Sequence, residues 1–252
     1  MKKIETVCVV GAGVDGLSAV KECKEAGLKV TAFDRQAQIG GRWMVGDRSK
    51  GDATGLWSEM FLNGTRRSLE FGDFPWNPTT VTPQNDYAGM FPNPREFGTY
   101  LEAYSKHFRL NKHVQFNTSV KRVQQDENNK WTVITCKDGK DTKHCFDTLI
   151  LCNGFFDKPH RPYEALLKPF VGQVLHSKYI RSTKDYTDKR VRVIGSAVSG
   201  PEITYALAEH SRCKSLVNSI RHTPYHFVKV SPIDHKPIVN KIFIRLPTWL
   251  AR

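Results

Sequence analysis

The sequence predicts an α/β chain built from two dinucleotide-binding, Rossmann-like three-layer domains, and three observations carry that prediction. An apolar strand, three spaced glycines and a helical pattern follow one another near the N-terminus, in Val9-Val10-Gly11-Ala12-Gly13-Val14-Asp15-Gly16-Leu17. The same order returns in Val191-Arg192-Val193-Ile194-Gly195-Ser196-Ala197-Val198-Ser199-Gly200. Between the two lie an alternating, hairpin-linked stretch and a proline-rich segment, the marks of a β-meander and an interdomain linker.

The first unit is justified residue by residue. Thr6 to Val10 is a β-branched, apolar run suited to a buried parallel strand, and Val14 to Ala26 has helical apolar spacing. Gly11 permits the tight turn, Gly13 lets the backbone approach a pyrophosphate, and Gly16 lets the helix pack closely on the strand. The next strand, Lys29 to Asp34, ends in a carboxylate placed to accept hydrogen bonds from a ribose. Gly40-Gly41, followed by Arg42-Trp43, implies a second close approach of backbone to ligand, as an extended flavin nucleotide such as FAD requires. A surface turn is the plainer explanation of paired glycines.

Residues 44 to 98 are rich in Gly, Pro, Asn and aromatics, with little period except near Gly55 to Phe61. A long irregular segment of this kind is usually functional. Pro94 to Leu110 carries Phe97, Tyr100, Leu101, Tyr104 and Phe108 at helical spacing, a core-facing stripe. Val114 to Val123, Trp131 to Thr135 and Phe146 to Leu151 alternate as strands, with Lys137-Asp138-Gly139-Lys140 as a hairpin turn. The last strand runs into Cys152-Asn153-Gly154, a glycine at the carboxyl end of a strand, where open α/β sheets bind ligands.

The expected organisation is a flavin domain over residues 1–157, a linker over 158–169 and an inserted nicotinamide domain over 170–252. In the second unit Gly195, Ser196, Ser199 and Gly200 form the turn and Pro201 to His210 the helix. Ala197 takes the place of the middle glycine and crowds that backbone slightly. Ser215 to Ile220 ends in Arg221, with His222 beside it. A guanidinium there suits the 2′-phosphate of NADPH, against the plainer view of a strand-end charge. NADPH delivers hydride to a flavin, so the pair of cradles points to an oxidoreductase using FAD and NADPH.

The totals exclude other classes. The net charge of +13 is concentrated in residues 157–252, which hold 17 Lys and Arg against 7 Asp and Glu, a balance of +10. That excess fits a solvated face or a phosphorylated ligand; no nucleic-acid motif accompanies it. The six cysteines are scattered without a Cys-x-x-Cys pair, so disulfides, a bound metal and a disulfide-reductase activity are not expected. No apolar run is long enough to span a bilayer, and Met1-Lys2-Lys3 leads directly into a strand without room for a signal peptide. A cytoplasmic protein is expected, and the sequons at Asn63 and Asn117 are discounted for that reason.

Phe170-Val171-Gly172-Gln173-Val174-Leu175-His176 resembles the Phe-x-Gly-x-x-x-His fingerprint of class B flavoprotein monooxygenases. Asp34 through Trp43 is similar to their acidic residue, Gly-Gly and tryptophan, and Cys152-Asn153-Gly154 through Pro162 to their Ala-Thr-Gly-x-x-x-x-Pro-x-x-Pro element. Asn63, ten residues before Asp73-Phe74-Pro75, falls where the flavin-containing monooxygenases carry an asparagine implicated in catalysis. Ile180, in place of a tryptophan, separates the chain from the Baeyer–Villiger branch.

The resemblance implies a monooxygenase in which NADPH reduces FAD and oxygen adds to give a C4a-hydroperoxyflavin. A nucleophilic nitrogen or sulfur of a small amine or sulfide then takes the distal oxygen. Asn63 is implied to orient NADP⁺ and the peroxide, though an asparagine also commonly caps a turn. His176 is implied as a structural hydrogen-bond link between domains rather than a proton donor. Family members continue past the point where Lys241 to Arg252 closes this sequence, so the chain is expected to be an N-terminal portion. Two alternatives stay open: a non-catalytic nucleotide-binding fragment, and an NADPH–flavin oxidase releasing hydrogen peroxide. Some relatives possess a membrane anchor, which leaves a peripheral association with the endoplasmic reticulum open.

Overall fold

The computed structural model describes residues 3–44, 55–76, 91–162 and 164–221. His222 and the segment Lys241 to Arg252 lie outside the described residues. The chain divides into two compact units, Met1–Met44 with Phe97–Asp157, and Val45–Glu96 with Lys158–Arg252. Residues 45–96, assigned from the sequence to the flavin domain, thus group with the second unit.

In the first unit β1 (Thr6–Val10), α1 (Val14–Glu25) and β2 (Lys29–Phe33) form one β-α-β turn of chain. Leu17, Val20 and Cys23 bury one stripe of α1, and Asp15 in its first turn and Lys24 in its last suit the helix dipole. The helix stops at Gly27, whose φ of +75° only glycine adopts cheaply. Leu28 N–H returns to Cys23 O at 3.0 Å, and this tight C-terminal closure satisfies an orphan carbonyl.

The pattern read as one strand from Val114 to Val123 is two, and they enter different sheets. β3 (Val114–Gln115) pairs with β2 in a parallel sheet of order β3-β2-β1-β7, β7 being Thr148–Leu151. After a break at Phe116 to Thr118, β4 (Ser119–Gln125) opens an antiparallel meander with β5 (Trp131–Lys137) and β6 (Lys140–Phe146). Asp138 and Gly139, with φ of +50° and +77°, make the primed hairpin turn whose twist matches the strands. The meander meets the parallel sheet through Cys8, Phe33, Val133 and Phe146, the rings of Phe33 and Phe146 meeting edge to face at 6.2 Å. Asp147 ties β7 to β1, accepting from Thr6 N–H at 2.9 Å and Thr6 Oγ1 at 2.7 Å, and it pairs with Lys130.

The helical stripe beginning at Pro94 forms α3 (Pro94–His107), shorter at its end than the spacing suggested, with a two-way cap at its start. Asn93 Oδ1 accepts from Glu96 N–H at 2.9 Å while Glu96 Oε2 accepts from Asn93 N–H at 2.7 Å. Tyr100, Leu101 and Tyr104 are fully buried.

In the second unit β8 (Arg190–Ile194) and β9 (Ser215–Ser219) pair in parallel, with α5 (Ser199–His210) between them in sequence. Ile203 and Leu207 of α5 pack with Ile180 and with Trp57, which comes from the earlier segment of the chain. Glu59 fastens that segment down: its carboxylate accepts from Ser182 Oγ at 2.7 Å and Thr183 N–H at 3.1 Å. Gly55 to Phe61, expected to show some period, is irregular; the short helix α2 (Arg66–Leu69) follows it. The proline-rich linker contains one helical turn, α4 (Glu164–Leu167).

Candidate functional site: two glycine cradles

The first cradle lies at the carboxyl end of β1. Gly11, at φ +101°, could not carry a side chain, because a Cβ there would sit 2.3 Å from the Cys152 carbonyl oxygen. A Cβ on Gly16 would sit 2.0 Å from the carbonyl oxygen of Gly11, so α1 lies directly on the turn. Gly13 is the residue before α1, and no side chain caps that helix. Its free N-terminal amides are the donors that an anion would take. Gly40 N–H donates to Ala12 O at 2.8 Å, and a Cβ on Gly41 would come within 3.1 Å of Gly13 Cα. The paired glycines therefore lay their backbone on the first cradle rather than forming a remote surface turn. The floor of this site is bare main chain, which fits the close approach of a dinucleotide.

Asp34 is 7% exposed, and its carboxylate is turned into the cradle. Oδ2 accepts from Ala12 N–H at 2.6 Å and Oδ1 from Gln36 N–H at 2.8 Å. Each oxygen can accept a second bond, so the carboxylate both braces the turn and retains capacity for a ribose. Asn153 and Gly154 follow β7 and are exposed at the same strand ends as Gly11, where an added Cβ would meet Cys152 and Asn153. Trp43 packs edge to face on Phe97 at 5.2 Å and so anchors the Gly40-Gly41 segment to α3. Arg42, beside it, was overlooked from sequence although it lies inside the stretch singled out. Its guanidinium rests 5.5 Å from the Trp43 ring centroid and 5.0 Å from that of Phe156. Burial pushes its proton affinity below that of an ordinary guanidinium.

The second cradle repeats two relations of the first. Gly11 N–H donates to Phe33 O at 2.8 Å, and Gly195 N–H donates to Ser219 O at 2.9 Å, in each case the end of the neighbouring parallel strand. A Cβ on Gly200 would sit 2.2 Å from Gly195 O, as for Gly16 on Gly11. Ser196 lies in the turn, Ser199 opens α5, and again no side chain caps the helix. Arg221 is exposed two residues past β9, one position beyond the counterpart of Asp34, since Ser219 matches Phe33.

Asn63 belongs to the second unit, where its Nδ2 donates to Oε1 of Glu202 in the first turn of α5. It does not cap α2; Thr65 does, its Oγ1 accepting from Ser68 N–H at 3.2 Å. Glu202 was not singled out from sequence, and with the partners 139 positions apart no local signal could have found it. His176 makes a local bond, its Nδ1 accepting from Lys178 N–H at 3.1 Å at the start of a short turn. Burial, then the charges of Arg161 and Lys178, hold it below the ordinary imidazole range, which suits a neutral acceptor nitrogen.

Among the described residues there is no cluster of metal-binding side chains, and no helix is long and apolar enough to cross a membrane. The six cysteines are free thiols.

Comparison with known proteins places this geometry. The human dimethylaniline monooxygenase [N-oxide-forming] 4 is 36% identical over 208 residues, 80% of this chain and 36% of its own length. The structure of S-allyl-L-cysteine S-oxygenase from Allium sativum superposes with a TM-score of 0.72 at 26% identity, covering 92% of this chain and 54% of that one. An oxidised steroid monooxygenase bound to NADP superposes at 0.64 and 25% identity, covering 89% and 40%. The chain thus spans little more than a third of the length of the curated relatives it matches. The model of the flavin-binding monooxygenase-like proteins matches residues 3–231, both cradles included, and the chain belongs to that family.

Proposed function

We propose that this chain is the nucleotide-binding portion of an NADPH- and FAD-dependent monooxygenase that oxygenates a nucleophilic nitrogen or sulfur of a small molecule. The observation that carries the proposal is the duplicated cradle, one copy closed by an acidic residue and a second glycine pair, the other by an arginine. FAD and NADPH, when bound, would supply hydride transfer and oxygen activation. The rest of the task falls to the protein: to bind each nucleotide, orient it, and exclude water.

In this scheme Gly11, Gly13, Gly16, Gly40 and Gly41 hold the ADP half of FAD against bare backbone. Asp34 receives its ribose, and Trp43, Asn153 and Gly154 border the site. Gly195, Ser196, Ser199 and Gly200 hold the NADPH diphosphate, and Arg221 receives the 2′-phosphate. His176 stays neutral and shapes the turn that precedes this cradle. Asn63 is the candidate catalytic residue. Its Nδ2 is engaged by Glu202, which leaves Oδ1 as an acceptor and fixes the plane of the amide. The N-oxide-forming and S-oxygenase names of two relatives favour nitrogen or sulfur as the atom attacked.

The test is direct. The purified chain should carry, or take up, FAD in equimolar amount, seen as flavin absorbance that persists through gel filtration. NADPH should then bleach that absorbance faster than NADH. A colourless protein that recovers no absorbance with added FAD would refute the assignment for this chain. With an amine or sulfide present, NADPH consumed entirely as hydrogen peroxide would establish the oxidase alternative instead.

A further inference from the structure

Arg35, Arg66 and Arg42 each have close neighbours, and the first two have carboxylates. Arg35 meets Asp157 through two bonds of 2.6 and 3.1 Å. Arg66, buried with its guanidinium 5.6 Å from the Trp76 ring, donates to Glu96 Oε1 at 2.7 Å. Arg42 is the exception. It lies between Trp43 and Phe156, its Nε is shut off from solvent without a hydrogen-bond partner, and no carboxylate among the described residues pairs with it. Aromatic faces attract a cation but do not accept N–H bonds in the plane of the fork, so the buried Nε–H of Arg42 lacks an acceptor.

Its position says which acceptor fits. Arg42 follows Gly41, the residue whose backbone lies on Gly13 at the uncapped N-terminus of α1. Phe156, on its other side, belongs to the segment that leaves β7 past Asn153 and Gly154. The side chain is therefore held by two walls of the first cradle. We propose that Arg42 is a diphosphate-binding residue of this cradle, its guanidinium neutralising the phosphates that the α1 amides also receive. A planar fork held beside two aromatic rings is preorganised for phosphate oxygens, and the burial of its Nε is offset only when the anion is bound. The role is additional to the glycines, which supply proximity and no charge. It rests on the assignment of the first cradle to FAD.

The experiment measures binding, not turnover. Kd values of the whole chain for FAD, ADP and adenosine are compared for the unaltered protein, Arg42→Gln and Arg42→Lys, with FAD followed by quenching of flavin fluorescence and the others by competition. Arg42→Gln should raise the Kd for FAD and for ADP by about ten- to a hundredfold, the scale of a charge-assisted hydrogen bond, and leave adenosine unchanged. Arg42→Lys, which keeps the charge and loses the fork, should fall between. Equal FAD affinity in Arg42→Gln and the unaltered chain would overturn the proposal, and so would a loss shared equally by adenosine, the mark of general damage. Failure of the unaltered chain to bind FAD or ADP at all would instead overturn the assignment of the cradle, and this inference with it.

Discussion

Gly16→Ala tests the packing that makes the first cradle. The added methyl would sit 2.0 Å from the carbonyl oxygen of Gly11, where ordinary contact begins at 3.4 Å. The obstacle is main chain, so no side-chain rotation relieves it, and α1 must back off the turn by well over an ångström. Leu17 and Val20 are fully buried beneath the helix, and lifting them opens the interface that holds α1 on the sheet. Overpacking of this kind costs about 3 kcal/mol at the upper end of its range, and alanine's better helix propensity returns roughly 1 kcal/mol. A net loss of about 2 kcal/mol lowers the unfolding midpoint of a domain this size by roughly 4–8 °C. Thermal unfolding followed by circular dichroism measures it. Gly72→Ala is the control, since a methyl there meets nothing within 4 Å. If Gly16→Ala melts no lower than Gly72→Ala, the close contact between helix and turn is not what stabilises the cradle.

Other outcomes follow from the same geometry. Asn63→Asp sets a carboxylate against Glu202 and should weaken NADP⁺ binding and coupling of NADPH oxidation to product more than Asn63→Ala does; equal effects would mean that the Glu202 contact is incidental. Arg221→Ala should raise the KM for NADPH about tenfold or more while barely changing that for NADH. A parallel change in both would remove Arg221 from the 2′-phosphate. Asp147 has its pKa held well below the ordinary carboxylate range by Lys130 first, then by Thr6 and the Glu5 amide. A lowered folded-state pKa contributes stability that is fully present above the unfolded value near pH 4 and is lost as pH falls below it. Acid titration of Asp147→Asn should accordingly show a shallower loss of stability below about pH 4 than the unaltered chain; identical acid profiles would refute the role.

What the sequence made legible was local and periodic. Both strand-glycine-helix units stand where their residues place them, because a positive φ at Gly11 or Gly195 and a helix seated on its own turn are requirements written in three positions. The strand β6 was not identified as such: Lys140 to Cys145 is mostly exposed on the edge of the meander, so its charged side chains carry no apolar alternation. Val114 to Val123 looked continuous because both halves are strand; only the tertiary pairing sends them to different sheets. Asp34 was expected to face a ribose, and its inward bonds to Ala12 and Gln36 depend on how a short carboxylate meets a turn twenty-two residues away. Asn63 and Glu202 met through the fold alone.

The strand order β3-β2-β1-β7 has a consequence for how this protein comes into being. β1 finds β2 within moments of leaving the ribosome, but its other neighbour lies 141 residues downstream, as the Thr6–Asp147 bond records. Until that strand is synthesised, one edge of the youngest sheet stands open while the intervening segment, much of it destined for the other unit, emerges past it. Pairings this distant in sequence form late and slowly, and exposed strand edges are where nascent chains aggregate. The interval between the synthesis of β2 and of β7 is therefore the one in which this sheet is most exposed to wrong pairing.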